Sequence, residues 1–292
     1  MSFLNVTKVG IPFFVIAAVA SSCDSSKPGN SANEARRPAS ELRARTPLAT
    51  YEPRFERIPV ALLDADSTLR VSPKGSKLMK FTPQDPDDVV LLPCVGERLK
   101  QLADDGYFIA IMSNQNIEDG ETTPEVADGG LATTVRKIVE HGGVVHYFDF
   151  AGQKKIWKPA PDLVTVRLAP YLQEHFNREI DWDRSFMVGD AGYMENDCVE
   201  KGVRKPDQCP PDGREHKHFA NSDRGFAENL FKSDMPFKPW RQHYYEPSIF
   251  FGWRQVADID VFSTPAEVAA FIHDHPDACR VVTKDFKRLQ AE

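Results

Sequence analysis

The sequence lacks several features that would assign it to a large class of proteins. It shows no internal repeat and no glycine-rich phosphate loop of the GxxxxGK[ST] kind. It also has no excess of positive charge, because its formal net charge is −7. An extended duplex-binding surface normally needs a basic face, so this charge argues against one but is compatible with a small basic pocket. The 292 residues are enough for one large α/β domain with additions.

The N-terminal part contains no apolar run long enough to span a bilayer comfortably. Lys8 precedes the short apolar run of residues 9–19, which gives way to the small residues Ala20-Ser21-Ser22. This order is typical of a secretory signal peptide, and the alternative is an anchor helix that stays uncleaved.

The residues around Cys23 make the prediction more specific. Ala20-Ser21-Ser22-Cys23 resembles the lipobox of bacterial lipoproteins, in which the cysteine is lipidated after cleavage. The resemblance implies a protein of the cell envelope or periplasm, tethered to the membrane through lipidated Cys23. The alternative is a plain signal peptide that happens to precede a cysteine.

These features divide the chain into four segments. The signal peptide would occupy residues 1–23. Residues 24–54 are rich in Ser, Pro, Asn and Arg and predict a disordered linker, solvated or in contact with anionic lipid. A catalytic domain is predicted for residues 55–252. The C-terminal extension, residues 253–292, contains one helical pattern and no recognisable chemistry.

The domain alternates strand and helix patterns. Strands are predicted at residues 58–63, 107–112, 144–150 and 185–188, and helices at residues 93–105, 131–141 and 162–176. Such alternation predicts a parallel sheet with helices on both faces and right-handed crossovers. Ligands bind beyond the carboxyl ends of the strands in these sheets. Polar residues follow several of those ends: Asp64, Asp66, Ser113, Asn114 and Asp190.

The types of these residues fit phosphoryl transfer. Of two carboxylates on one loop, Asp64 can attack phosphorus and Asp66 can protonate the leaving oxygen and then activate water. Ser113 and Lys158 can stabilise charge on the phosphoryl oxygens, and Asp190 can supply an oxygen ligand for Mg²⁺. Each residue also has an ordinary structural explanation, as a cap, a surface charge or a turn residue. Their joint occurrence in order at strand ends favours catalysis.

The same motifs resemble those of the haloacid-dehalogenase superfamily. They are Asp64-x-Asp66-x-Thr68, Ser113, Lys158-Pro159 and Gly189-Asp190. The finer pattern is similar to the polynucleotide 3′-phosphatase family, which forms the phosphatase half of polynucleotide kinase/phosphatase. Its family-specific segment runs from Lys217 through Ser222-Asp223-Arg224 to Asn229. The resemblance implies a Rossmann-like haloacid-dehalogenase fold with a small or absent cap. The sequence departs from kinase/phosphatases in showing no kinase domain, so we expect a stand-alone phosphatase.

The resemblance also implies roles for individual residues and a Mg²⁺ cofactor. Asp64 would be the nucleophile and Asp66 the general acid/base, with Ser113 and Lys158 completing the catalytic set. Mg²⁺ would be held by Asp64, Asp66 through its backbone carbonyl, Asp190 and Asp223, with Glu195 as a rival acid. The expected substrate-binding residues are Thr68, Asn114, Lys74, Lys77 and Arg224.

The sequence departs from the family pattern at three places. Ser67 replaces the usual glycine of the first motif, and Gly192-Tyr193 replaces an Ala-Gly-Arg segment. Residues 193–215 form an insertion with Cys198 and Cys209. We expect these two cysteines to form a disulfide in an exported protein, with a zinc site that includes His216 and His218 as the alternative.

These features predict a Mg²⁺-dependent phosphomonoesterase that forms an aspartyl-phosphate. The leading substrate is a polynucleotide 3′-phosphate end. One alternative is a periplasmic phosphatase of small phosphomonoesters or nucleotides, and another is a degenerate, non-catalytic binding domain.

Overall fold

The computed structural model describes residues 48–74, 83–191, 222–231, 243–253 and 264–279. Several predictions fall outside the described residues and are therefore untested. They concern the signal peptide with Cys23, the single residues Lys77 and Glu195, and the insertion with Cys198 and Cys209. Among the described residues, no helix combines the length and the apolar character needed to cross a bilayer.

The central element is a parallel sheet of five strands in the order β5-β4-β1-β6-β7. Leu63 at the end of β1 pairs with Ile111 on one side and with Val188 at the end of β6 on the other, so β1 and β6 end at the same level while β4 extends three residues further, to Asn114. The strands of this sheet are β1 (Val60–Leu63), β4 (Phe108–Asn114), β5 (Tyr147–Ala151), β6 (Phe186–Val188) and β7 (Tyr244–Tyr245).

Helices cover both faces of this sheet, and the predicted fold class is thereby confirmed. One apolar cluster packs α1, α2, α5 and α6 against one face, and a second cluster packs α3 and α4 against the other. Alternate residues of β1 point into the two clusters, which is the pattern of a strand buried on both faces. The helices are α1 (Val95–Asp104), α2 (Pro124–Glu140), α3 (Ala169–Phe176), α4 (Ser222–Phe231), α5 (Pro247–Phe250) and α6 (Pro265–Asp274).

A small antiparallel hairpin follows the loop that carries Asp64 and Asp66. It pairs β2 (Arg70–Val71) with β3 (Val90–Leu91), and both strands are buried. The sequence analysis missed this hairpin because two-residue strands leave no measurable alternation of apolar and polar residues. The hairpin matters for function because it starts only four residues beyond Asp66.

Two predicted helices differ from the observed ones. Helix α2 begins at Pro124, seven residues before the predicted start, because Thr123 caps it and accepts a hydrogen bond from the backbone N–H of Val126. The predicted helix over residues 162–176 consists of a π-helical segment, Leu163–Leu168, and then α3. Pro170 has no N–H to donate, which accounts for the wider hydrogen-bonding pattern just before it.

The C-terminal extension is attached to the catalytic domain at the start of α1. A disulfide joins Cys94 to Cys279, 185 residues away, and the indole N–H of Trp253 donates to the Pro93 carbonyl at 3.0 Å. Arg98 donates to the Phe250 carbonyl at 3.0 Å and lies over the Phe250 ring. The sequence predicted a helix here, but it did not predict this attachment.

Candidate active site

The polar residues predicted to be catalytic meet at one edge of the sheet. Asp64 directly follows β1, and its backbone N–H donates to the Val188 carbonyl at the end of β6 at 2.9 Å. Ser113 lies at the end of the neighbouring strand β4, and Asp190 follows β6 by two residues. This edge is formed by the carboxyl ends of the parallel strands, where such sheets bind ligands.

Three carboxylates form a cluster at this edge. Asp64, Asp190 and Asp223 each offer one oxygen, and these oxygens all lie within 4.8 Å of one another. Asp223 comes from the first turn of α4, far along the chain, and its carboxylate accepts a hydrogen bond from the backbone N–H of Ala191 at 3.0 Å. Gly189 makes this approach possible, because a Cβ on Gly189 would lie 2.3 Å from the Asp223 carboxyl carbon.

Lys158 supplies the cation of the cluster. Its buried ammonium group bonds to the Asp64 carboxylate and to Asp223 Oδ1, the latter at 2.6 Å. The backbone of Lys158 is fixed by Asn114, whose side chain donates to the Lys158 carbonyl at 3.1 Å and accepts from the Lys158 N–H at 2.8 Å. These bonds give Asn114 a positioning role in the structure, while its predicted contact with the substrate stays a prediction.

The electrostatics follow from one buried cation that faces three carboxylates, of which Asp64 and Asp223 are buried and Asp190 is half-buried. Burial, together with the charges of Asp223 and Asp66, raises the pKa of Asp64 to about 7 although Lys158 is in contact with it. Burial and the charges of Asp223 and Asp64 also raise the pKa of Asp190. For Lys158, burial opposes the charge, but Asp223 and Asp64 outweigh it and raise the pKa of the ammonium group. Ionisation of all three carboxyl groups would therefore place an excess of negative charge beside one lysine, and a further cation would relieve this repulsion.

The second loop aspartate, Asp66, is held by two buried donors. Its Oδ1 accepts from Arg70 Nε, and its Oδ2 accepts from Gln115 Nε2, both at 2.9 Å. The same Gln115 amide donates to the Ser113 hydroxyl at 2.8 Å. The sequence analysis assigned no role to Arg70 or Gln115. Gln115 directly follows the predicted Ser113 and Asn114, which was the available signal for it.

The remaining predicted residues are placed as follows. Thr68 is fully buried in the first loop, and Lys74 is exposed and forms an ion pair with Asp85. Arg224 is buried beside Asp223, with its Nη2 3.6 Å from Glu228. The predicted substrate contacts of these three residues stay predictions. Ser67, at the position of the family glycine, has a φ of 57°, so it keeps the left-handed backbone for which glycine is usual.

The fold and the site together define a class of protein. A parallel α/β sheet carries an aspartate pair after its first strand, a buried lysine, and further acids after a later strand, which is the arrangement of haloacid-dehalogenase-type phosphatases. The family model for polynucleotide kinase 3 phosphatase matches residues 59–244. The chain belongs to this family, and it is a phosphatase of the haloacid-dehalogenase type.

Individual relatives are consistent with this membership. An uncharacterized 20.8 kDa protein of Autographa californica nuclear polyhedrosis virus is 30% identical over 176 residues, which are 60% of this chain and 81% of the viral protein. The histidine biosynthesis bifunctional protein HisB of Xylella fastidiosa is 29% identical over 137 residues. These residues are 45% of this chain and 34% of HisB.

Two solved phosphatase structures match part of this chain, with low TM-scores. A putative haloacid-dehalogenase-like phosphatase from Mesorhizobium loti is 20% identical with a TM-score of 0.37, covering 50% of this chain and 68% of that chain. A D,D-heptose 1,7-bisphosphate phosphatase from B. bronchiseptica, complexed with magnesium and phosphate, is 16% identical with a TM-score of 0.35. The matched region covers 46% of this chain and 72% of the heptose-bisphosphate phosphatase chain.

Proposed function

We propose that the protein is a Mg²⁺-dependent phosphomonoesterase that forms an aspartyl-phosphate on Asp64 and acts on the 3′-phosphate ends of polynucleotides. The observation that carries the proposal is the convergence of Asp64, Lys158, Asp190 and Asp223 at the carboxyl edge of the sheet. Membership in the polynucleotide kinase 3 phosphatase family supports the substrate class.

The donor set of this site fits Mg²⁺. Asp64, Asp190 and Asp223 are hard oxygen ligands, and burial together with their mutual repulsion raises the pKa of Asp64 and of Asp190. These three residues would hold the ion, together with the backbone carbonyl of Asp66. When bound, Mg²⁺ would neutralise charge on the carboxylates and on the phosphoryl group.

The side chains then divide the reaction between them. Asp64 attacks phosphorus, the bond to the leaving oxygen breaks, and Asp66 gives a proton to that oxygen. Water next attacks the aspartyl-phosphate, Asp66 takes its proton, and inorganic phosphate leaves with the Asp64 carboxylate restored. Lys158 and Ser113 stabilise charge on the phosphoryl oxygens, and Asn114 keeps Lys158 in place.

A phosphatase of small phosphomonoesters is the second candidate, and one observation favours it. A polynucleotide end brings additional phosphates, which cations beside the catalytic centre would bind. Two of the predicted cations lie near acids, since Lys74 pairs with Asp85 and Arg224 lies beside Glu228. A polynucleotide substrate would have to displace Asp85 from Lys74.

The experiment compares kcat/KM for a 3′-phosphorylated oligonucleotide and a small phosphomonoester over a range of salt concentrations. We expect a higher value for the oligonucleotide and a selective loss with added salt. Lys74→Met should weaken only the oligonucleotide reaction. Lys100→Met is the matched control, because Lys100 is similarly exposed and paired with Asp104, but lies on α1, which contributes no residue to the carboxylate cluster in the described part of the chain.

The outcomes separate the candidates. Equal salt sensitivity of both substrates, or a preference for the small ester, would reject the polynucleotide substrate and favour the small-molecule phosphatase. A folded wild-type protein that hydrolyses neither substrate with Mg²⁺ would favour the non-catalytic binding domain.

We also propose that the protein is anchored by lipid in the cell envelope or periplasm. The lipobox-like Ala20-Ser21-Ser22-Cys23 motif supports it, and so does the Cys94–Cys279 disulfide, since disulfides persist in oxidising compartments. Intact-mass measurement of the membrane fraction is the test. Acyl mass on Cys23 is expected, and a mature N-terminus without acyl mass would reject the anchor.

A further inference from the structure

The side chain of Asp66 is fixed from two independent elements. Arg70 belongs to the β2–β3 hairpin, whereas Gln115 lies at the end of β4. Each donates to a different oxygen of Asp66, so rotation of the carboxylate would break at least one bond. Both donors are fully buried and the Asp66 side chain is 12% exposed, so water competes little for these bonds.

The surroundings of Arg70 are shaped to hold its guanidinium. Its Nη1 donates to the Thr134 hydroxyl at 2.9 Å, and that hydroxyl donates to the Gly130 carbonyl at 2.7 Å. Gly130 lies inside α2, where glycine is less favourable than alanine. A Cβ there would come within 3.2 Å of Arg70 Nη1, so the glycine makes room for the guanidinium.

The Gln115 amide is equally constrained. Its Nε2 bonds to both Asp66 and the Ser113 hydroxyl, and its backbone N–H donates to the Ala151 carbonyl of β5 at 2.9 Å. Gln115 therefore links the acid/base of the proposed reaction to a residue that would contact the phosphoryl group. Arg70 and Gln115 are thus two buried donors to the Asp66 carboxylate, which must reach the leaving oxygen in the proposed reaction.

We infer that Arg70 and Gln115 are positioning residues that orient Asp66 for proton transfer to the leaving group. The inference rests on the proposed function, in which Asp66 gives its proton to the leaving oxygen while Asp64 forms its bond to phosphorus. A misoriented Asp66 should matter most where the leaving oxygen needs that proton. Alkyl phosphates need it, whereas a nitrophenolate leaves readily without it.

The experiment measures kcat/KM for an alkyl and a nitrophenyl phosphomonoester, because this ratio reports the steps up to loss of the leaving group. Arg70→Met should lower the value for the alkyl ester on the order of tenfold more than the value for the nitrophenyl ester. Arg70→Lys should recover part of the difference. Gln115→Met should show the same selectivity, as should, more weakly, Thr134→Val, which removes only the hydroxyl behind Arg70.

Arg167→Met is the matched structural control. Arg167 donates to the buried Asp149 at 2.9 Å, the same distance as in the Arg70–Asp66 pair, but has no bond to Asp66 in the described contacts. Its loss should affect both esters equally. In an Asp66→Asn background, Arg70→Met should cause no further selective loss, because the proton donor on which it acts is gone.

The outcomes are distinguishable from failure of the proposed function. If wild type hydrolyses neither of these esters nor the 3′-phosphorylated oligonucleotide, the proposed phosphatase reaction fails. If wild type is active but the folded Arg70, Gln115 and Thr134 variants lose both esters equally, the positioning role is overturned and the proposed function stands. Should Arg70→Met fail to fold, the Gln115 and Thr134 variants decide the question.

Discussion

At the scale of single residues, the site depends on the Asp223 carboxylate, which fits in its place only because Gly189 has no side chain. Asp223 lies against Gly189, and its two oxygens contact Lys158 and the Ala191 N–H. Asp223 is therefore fixed on three sides. Any displacement changes both the predicted metal site and the environment of Lys158.

We therefore predict that Gly189→Ala inactivates the protein far more than it destabilises it. The new methyl group must displace the Asp223 carboxylate, and misplacement of a catalytic group by about 1 Å can cost about 100-fold in rate. Steady-state kinetics and thermal unfolding measure the two effects. Gly152→Ala is the control, since its Cβ would meet only the end of the Ile117 side chain. Full activity of Gly189→Ala would show that Asp223 has no catalytic role.

The raised pKa of Asp64 predicts a pH dependence of metal binding. In the metal-free protein Asp64 is protonated below about pH 7, and a protonated carboxyl group must lose its proton to become a ligand. Mg²⁺ affinity should therefore fall as pH is lowered through 7, by up to about tenfold per pH unit for one displaced proton.

Calorimetry at about pH 6 and about pH 8, in buffers of different ionisation enthalpy, measures both the affinity and the proton release. Asp64→Asn should bind Mg²⁺ more weakly and with a flatter pH dependence. An affinity that does not change over this interval would contradict the raised pKa of the Asp64 carboxyl group.

At the scale of elements, the attachment of the C-terminal extension to α1 should stabilise the domain. The Cys94–Cys279 disulfide closes a long loop, and the loss of such a bond typically costs about 2–5 kcal/mol. We predict that Cys279→Ser lowers the free energy of unfolding by this amount, as measured by urea denaturation with and without a reductant.

The same measurement tests the other predicted disulfide. If Cys94–Cys279 is the only disulfide, the variant should be insensitive to the reductant. Remaining sensitivity would indicate a further bond, for which Cys198 and Cys209 are the predicted pair. A wild-type protein with equal stability in both conditions would contradict the stabilising role of the attachment.

The sequence predicted the elements whose signals are local. Strands β1, β4 and β6 are apolar runs that end in polar residues, and these ends correctly located Asp64, Ser113 and Asp190 at one edge of the sheet. Helix α2 was predicted too short because Gly129 and Gly130 near its start look like helix breakers. Tertiary contacts explain the two glycines, because a side chain on Gly129 would meet Pro86 and one on Gly130 would meet Arg70.

Other features could not be predicted because they depend on residues distant in the chain. The pairing of Cys94 with Cys279 spans 185 residues, and no spacing rule indicates it. Arg70 and Asp66 are near neighbours in the chain, but the hydroxyl that holds Arg70 in place belongs to Thr134 of α2, 64 residues away. The expectation that Asp223 belongs to the metal site came from the family resemblance alone, and its bond to Lys158 was not predicted.

At the scale of the whole molecule, an acidic protein is proposed to act on a polyanionic substrate. The net charge of −7 opposes association with nucleic acid at a distance, so binding would depend on a few cations close to the catalytic edge. Lys158 is the buried cation within the cluster, and the proposed Mg²⁺ ion would add the further positive charge that the three carboxylates favour.

The central claim is covalent catalysis by Asp64, and acid quenching of the reaction tests it most directly. The protein is mixed with Mg²⁺ and a substrate that carries a radioactive phosphate, and the reaction is stopped in acid during turnover. The account predicts acid-stable, alkali-labile label on the peptide that contains Asp64, no label or turnover in Asp64→Asn, and neither without Mg²⁺. Turnover in Asp64→Asn, or label on another residue, would contradict it.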